Sequence, residues 1–168
     1  MEELAAEAGI TKPILYSHFG DKVGLANALA ERATADLDRA ISTSLEQVRH
    51  PRQGISSTIG AFCSFIETEQ ELYRFLVETA KRERDGRGKA RLVAHFARRI
   101  EAPLSAALER VDGDVRAAEP WSFAIVGMTL ASSEWWLETR TMSRDDLVEY
   151  LTQLLWAGLA GAGLDRLA

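Results

Sequence analysis

The stretch ITKPILYSHFGDK, Ile10 to Lys22, decides how the rest of the chain is read. It places a Thr, a Pro, a Tyr, a His and a Lys within thirteen residues, directly before a much longer helical pattern. Upstream, Glu2 to Ala8 has the composition of a short helix, with Leu4, Ala5 and Ala8 expected inward. Gly9 can take the left-handed backbone that ends such a helix. Thr11 can cap a second short helix. Pro13 falls in its first turn, where the missing N–H does no harm. The predicted unit is helix, tight turn, helix.

On a helical wheel of about 100° per residue, Leu15 and Phe19 lie roughly 40° apart and point to the core. Pro13 and Ser17 point the opposite way, flanked by Ile14 and His18 on one side and by Lys12 and Tyr16 on the other. A helix with a narrow apolar anchor and such an outer face is suited to insertion, and the DNA major groove admits a helix of this width. Tyr and His can bond phosphate oxygens, Lys12 can reach phosphate or guanine, and Pro13 or Ile14 can touch a thymine methyl. Asp21 can cap the following helix. Lys22 then sits in its first turn, where main-chain N–H groups and the ammonium can hold one phosphate. Taken alone, Lys22 is equally well explained as a solvated lysine.

Working outward, Leu29, Ala33, Leu37, Ile41, Leu45 and Val48 recur every three or four residues and predict one long helix from about Asp21 to Arg49, ending before His50-Pro51. A second helix carries Ile55, Ile59, Phe62, Cys63 and Ile66 on one face. A polar break at Glu67 to Glu71 leads to a shorter helix around Leu72 to Val77. KRERDGRGKAR, Lys81 to Arg91, reads as a charged loop with two glycines. The stripe resumes at Val93, Phe96, Ile100, Leu104, Leu108 and Val111, with Pro103 predicting a kink or break. The next helix, about Trp121 to Glu138 with Pro120 in its first turn, is apolar all round, so burial on most sides is expected. Ser143 can cap the last helix, whose stripe is Leu147, Tyr150, Leu151, Leu154, Leu155 and Gly158.

The 168 residues are enough for one ordinary domain or a large and a small lobe, and 46% hydrophobic content excludes a disordered chain. The net charge of −5 argues against a surface that binds nucleic acid everywhere, but leaves room for a local site. One cysteine, Cys63, permits no internal disulfide, and no Cys/His cluster has zinc spacing. The opening residues lack a signal peptide, and no apolar stretch reaches membrane-spanning length. His18, His50 and His95 lie in separate segments without a nucleophile or carboxylate partner, and no glycine-rich phosphate loop occurs. No catalytic residue, metal site or cofactor is expected.

EELAAEAGITKPILYSHFGDKVGLANAL resembles the DNA-binding segment of TetR-type transcriptional repressors. The shared pattern is an apolar-Ala-x-x-Ala-Gly helix, a capped turn, Leu-Tyr-x-His-Phe, then Lys and Leu opening a long helix. The resemblance implies that Tyr16, His18 and Lys22 contact operator phosphates, and that Lys12, Pro13, Ile14 and Ser17 read bases; Thr11, the cap, is included among the DNA-binding candidates. It implies an all-α fold: a helix-turn-helix, incomplete for want of the family's first helix, joined by a long helix to a C-terminal ligand-binding and dimerisation bundle. The corresponding domains are residues 1–45 and 46–168. Without the first helix, Leu4, Leu15, Phe19 and Leu25 are expected to lose cover.

The implied partners are operator DNA, a small-molecule effector and a second copy of the chain, in a bacterial cytoplasm and without a membrane. Phe62, Phe65, Ile66, Phe96, Trp121, Phe123 and Met128 are candidates for an apolar effector pocket. His95, Arg98 and Arg99 lie close in sequence to Phe96, as polar handles or as surface ion pairs. Trp135 and Trp136 must face different ways, so one is expected in an interface. Gly127, Ala131, Tyr150, Leu154, Ala157 and Gly158 complete a candidate dimer surface. The competing reading is a ligand-binding or interaction module that has lost DNA binding with the missing helix.

Overall fold

The computed structural model of the chain describes residues 1–82 and 88–167. Among them are eight α-helices and no strand: α1 (Glu2–Glu7), α2 (Lys12–Phe19), α3 (Lys22–Leu45), α4 (Pro51–Thr68), α5 (Gln70–Arg82), α6 (Gly88–Arg110), α7 (Ala118–Thr139) and α8 (Arg144–Gly161). Two short 3-10 turns cover Val115–Ala117 and Leu164–Leu167. The chain divides into two compact units, Met1–Asp38 and Arg39–Ala168. The division falls inside α3, ahead of residue 45, because Ile41 and Leu45 pack with residues of the second unit.

In the first unit α1 closes with a paired turn. Ile10 N–H bonds to the Ala5 carbonyl and Gly9 N–H to the Ala6 carbonyl. Gly9 takes φ 65°, the left-handed stop anticipated from its position. Thr11 occupies the N-cap of α2 with an extended backbone, but its side chain makes no cap bond. Gly20, at φ 72°, ends α2. Asp21 caps α3 through Oδ1, which accepts the Gly24 N–H at 2.8 Å. Ala5 is buried, whereas Leu4 and Ala8 are exposed, contrary to the inward placement of all three. They share a stripe one residue round from Ala5, the one buried residue of α1. Leu4 is 47% exposed, whereas Leu15 is buried and Phe19 and Leu25 are half-buried.

The helix α3 stops at Leu45, short of Arg49. Glu46 and Val48 close tight turns back to Thr43 and Leu45, and the Arg49 N–H is taken by the Gln53 side chain, which steers the chain into Pro51. The polar run after α4 is only a one-residue break, so α5 begins at Gln70. Both flanks of the predicted charged loop are helical, up to Arg82 and from Gly88; residues 83–87 lie outside those described. Lys and Arg are good helix formers, which lets both flanks stay helical. Pro103 lies within α6 without breaking it.

In the second unit α6 packs most extensively on α7, and α4 on α8. Leu104, Leu108, Val111, Ala118, Leu159 and Leu164 form one buried cluster. α7 buries Val126, Leu130 and Trp136 together with three hydroxyls. Ser122 donates to the Ala118 carbonyl, Thr129 to the Ile125 carbonyl, and Ser133 meets Cys63 Sγ at 3.5 Å. α7 is not buried on most sides, however: Phe123, Ala131 and Trp135, at intervals of four or eight residues, form an exposed apolar stripe. The stripe predicted for α8 also splits. Leu147 and Leu151 turn inward, while Tyr150 and Leu154 are 57% and 63% exposed.

The α7–α8 turn is tied down by polar contacts. Trp136 Nε1 donates to the Met142 carbonyl at 2.9 Å, and the Arg140 guanidinium stacks 4.3 Å from the Trp136 ring. Arg140 and Arg144 share the Glu67 carboxylate of α4, at 2.7 and 3.3 Å. Ser143 caps α8 as predicted, accepting the Asp146 N–H at 3.1 Å. At the other end of the bundle, Asp114 caps the Val115–Ala117 turn, and its hydrogen bonds from Arg116 hold its carboxyl down to about 2.

Trp136 is 1% exposed, so Trp136→Ala should lower unfolding free energy by about 3–5 kcal/mol, as large aromatic truncations in cores do. Urea unfolding followed by circular dichroism measures it; a loss under about 1 kcal/mol would mean that the site collapses around the deletion.

Candidate nucleic-acid interface and apolar cavity

The first unit presents one face of α2 to solvent. Leu15 is its buried anchor. Thr11, Lys12, Pro13, Ile14, Tyr16, Ser17 and His18 are all exposed, as is Lys22 at the start of α3. All eight residues picked out for DNA contact therefore stand outside the local core. Ile14 and Tyr16 are exposed although apolar or aromatic, an arrangement that costs solvation unless something covers it. The Ser17 hydroxyl donates to the Ile14 carbonyl at 2.8 Å, which leaves its lone pairs outward. Lys12 lies 3.7 Å from Glu2, both side chains at least half exposed, a pair too weak to hold the ammonium against a phosphate. His18 packs obliquely on Phe19, ring centroids 6.3 Å apart. The first-turn amides of α3 and Lys22 form the remaining donor group, with Asp21 already committed to capping.

The second unit encloses a cavity of about 490 Å³. Its walls are the end of α3 (Ile41, Ser42, Leu45), the face of α4 from Pro51 to Phe62, α6 from Phe96 to Ala107, α7 from Ile125 to Leu130, and Leu155, Trp156 and Leu159 of α8. Nearly all of these side chains are apolar; the polar ones are Ser42, Thr58, Arg99 and Thr129. The size and lining are those of a small-molecule site. Arg99 and Ser42 are exposed, whereas Ile59, Phe62, Phe96, Val126 and Leu130 are buried. The cavity thus has a polar rim and an apolar floor.

Of the pocket candidates taken from sequence, Phe62 and Phe96 line this cavity. Ile66 is fully buried elsewhere in the core, Phe65 and Met128 are half-buried away from the lining, and Trp121 packs against the Leu104–Leu108 cluster. Phe123 is on the exposed stripe of α7. His95 is exposed and stacks edge-on against Phe96 at 4.9 Å, outside the lining. Ile41, Leu45, Pro103 and Thr129 were missed. The signal for them was present: the α3 stripe continues through Ile41 and Leu45, and a helix-interior proline marks a place where neighbouring groups do not pack regularly.

The candidate interface residues face outward, except Gly127, which is half-buried. Trp135 is 45% exposed, against the buried Trp136, and Tyr150, Leu154, Ala157 and Gly158 lie on the exposed side of α8. Ala131 is exposed, and a Cβ placed on Gly127 or Gly158 would meet no atom within 4 Å. Burial pushes the Cys63 thiol above its ordinary value despite its hydrogen bond with Ser133, the reverse of the shift an activated thiolate needs. Among the described residues no His/Cys/Asp/Glu group is placed to hold a metal, and no helix is long and apolar enough to cross a membrane.

Residues 40–167 match the family model for the tetracyclin repressor-like C-terminal domain, and residues 1–29 match that for bacterial regulatory proteins of the tetR family. An uncharacterized HTH-type transcriptional regulator of Mycobacterium tuberculosis is 29% identical over 170 residues, covering 96% of this chain and 69% of its own. The HTH-type transcriptional activator FasR of Mycolicibacterium smegmatis is 28% identical, covering 99% and 76%. The crystal structure of a TetR-like transcriptional regulator from Rhodococcus sp. RHA1 superposes with a TM-score of 0.69 at 24% identity, over 94% of this chain and 82% of that one.

The Leu15 anchor gives a local test. Leu15→Ala should cost about 2–5 kcal/mol, and hydrogen exchange should accelerate at the α1 and α2 amides while α4 and α8 keep their protection. Acceleration spread evenly over both units would show that Leu15 does not anchor the first unit alone.

Proposed function

The chain belongs to the TetR family of bacterial transcriptional regulators, and from that premise we propose that it binds a pseudo-palindromic operator as a homodimer and represses transcription until a small-molecule ligand releases it. The observation that carries the reading is the α2 face. Seven consecutive or near-consecutive residues stand exposed over one buried leucine, with Lys22 beside them. In this reading Lys12, Pro13, Ile14 and Ser17 meet base edges, while Tyr16, His18 and Lys22 hold phosphates and fix the register. Two copies would place two such helices in successive major grooves, with half-site spacing set by the dimer. The exposed apolar stripes of α7 and α8 are the surface through which we pair the copies. The cavity is the effector site, acting by favouring one of two arrangements of the bundle. The setting is the bacterial cytoplasm, and no step is enzymatic.

Two observations favour this over a binding module without DNA. Residues 1–29 match a regulatory DNA-binding family model, and the reading face is exposed. The opposite sign of regulation has one observation in its favour, since the relative FasR is an activator. A reporter gene under a site selected from random duplexes decides between repression and activation.

Lys22→Ala should weaken binding to all sequences alike and reduce the slope of log K against log salt by about 0.9, the loss of one phosphate contact. Ile14→Ala should instead relax base preference at one position, by about 1–3 kcal/mol at most. Fluorescence anisotropy over a salt series measures both; an unchanged slope for Lys22→Ala would remove its phosphate role. For pairing, Leu154→Glu should shift sedimentation from dimer to monomer, and a dimer that persists would place the interface elsewhere.

A further inference from the structure

We propose that the cavity takes an uncharged ligand, a largely hydrocarbon body with one hydrogen-bonding group that meets the Thr58 hydroxyl on the α4 wall. The proposal deepens the reading of the cavity as the effector site and rests on it. No acidic side chain occurs among the described lining residues, so a cationic ligand would find no counter-charge. Arg99 is the one cation among them, and it is already engaged. Its Nη2 reaches Ser42 Oγ at 3.5 Å, and both residues have further partners in the fold. An anion would have to displace those contacts, with no second basic group in the described lining to hold it. A charge of either sign carried in against Ile59, Phe62, Phe96 and Leu130 would lose its hydration without a partner. The walls therefore select against charge.

The lining also limits how many hydrogen bonds a ligand can make. Its polar side chains among the described residues are Ser42, Thr58, Arg99 and Thr129. Ser42 and Arg99 are engaged at the rim, and the Thr129 hydroxyl donates to the Ile125 carbonyl at 2.8 Å. Thr58 alone of these makes no side-chain hydrogen bond within the fold. It stands in the middle of the α4 wall. Gly54 and Ile55, one turn before it, and Phe62, one turn after, all line the same cavity. Thr58 is half-buried, whereas Ile59 and Phe62 beside it are buried. A hydroxyl both donates and accepts, so an alcohol, a ketone or an ester suits it equally. A ligand with several polar groups would leave the others unpaired against apolar walls. The volume of about 490 Å³ corresponds to roughly sixteen water-sized groups at about 30 Å³ each, room for a ring and a short chain with its polar end.

Calorimetric titration of the full chain with four probes that share one body tests this: butylbenzene, phenylbutanol, phenylbutyrate and phenylbutylamine, near neutral pH. Butylbenzene and phenylbutanol should bind the wild type. The carboxylate and the amine should bind at least about tenfold more weakly than phenylbutanol. Thr58→Val should weaken phenylbutanol by about three- to tenfold, the range for a neutral hydrogen bond, and leave butylbenzene within about twofold. Thr58→Ser keeps the hydroxyl and should hold phenylbutanol within about threefold; a larger loss overturns the contact. Thr129→Val removes a hydroxyl already engaged, and should leave the ratio of the two neutral probes unchanged. Phenylbutyrate or phenylbutylamine binding as tightly as phenylbutanol would overturn the uncharged class. In Thr58→Val, equal losses for both neutral probes, or no loss for either, would overturn the Thr58 contact. If that variant does not fold, the charged probes on the wild type and Thr58→Ser still decide. All of these leave the effector site standing, because a probe still binds. Failure of all four probes on the wild type would instead remove the cavity as an effector site, and the uncharged class with it.

Discussion

The hydroxyls of Ser122, Thr129 and Ser133 are buried along α7, and each had to find a partner inside the fold before helices could close around it. Two return to carbonyls one turn back on their own helix, and the third meets Cys63 on α4. A side chain satisfied in this way makes no demand on the helix opposite. It is also small, so α6 can come close to α7 over much of its length. The remaining space, where larger side chains meet between α4, α6 and α8, is the cavity.

The first unit depends on local signals, and these were legible. Gly9, Pro13 and Asp21 each act within a few residues of themselves, through a left-handed stop, a first-turn proline and a cap. The anchor and outer face of α2 followed from a single wheel. Thr11 is the exception, at the right position but without the side-chain bond, because position on a helix does not set a hydroxyl's rotamer. Leu4 and Ala8 went wrong because a six-residue helix offers two stripes that sequence alone cannot rank.

The second unit was legible as helices and less so as a site. Helical periodicity located α4, α6 and α8 well, since a 3.6-residue stripe reports burial directly. It could not say which buried aromatic borders empty space, because that is decided by what fails to reach it from three other helices. Phe62 and Ile66 stand one turn apart on the same face of α4, yet one lines the cavity and the other is enclosed core. Where a helix carries two apolar stripes, as α8 does, the sequence pattern merges them, and only the arrangement of neighbours separates Leu151 from Leu154.

Arg140 has a left-handed backbone, φ 47°, at a position glycine usually fills. Stacked on Trp136 and bonded to Glu67, it closes the end of α7 onto α4. The exposed stripe of α7 is therefore mounted on a backbone with little freedom left to lose. Its members suit that mounting: Gly127 and Ala131 have no rotamers, and Phe123 and Trp135 have two side-chain torsions each. A surface of this kind gives up little conformational entropy when it is covered, so even a modest contact area on it can hold two molecules together.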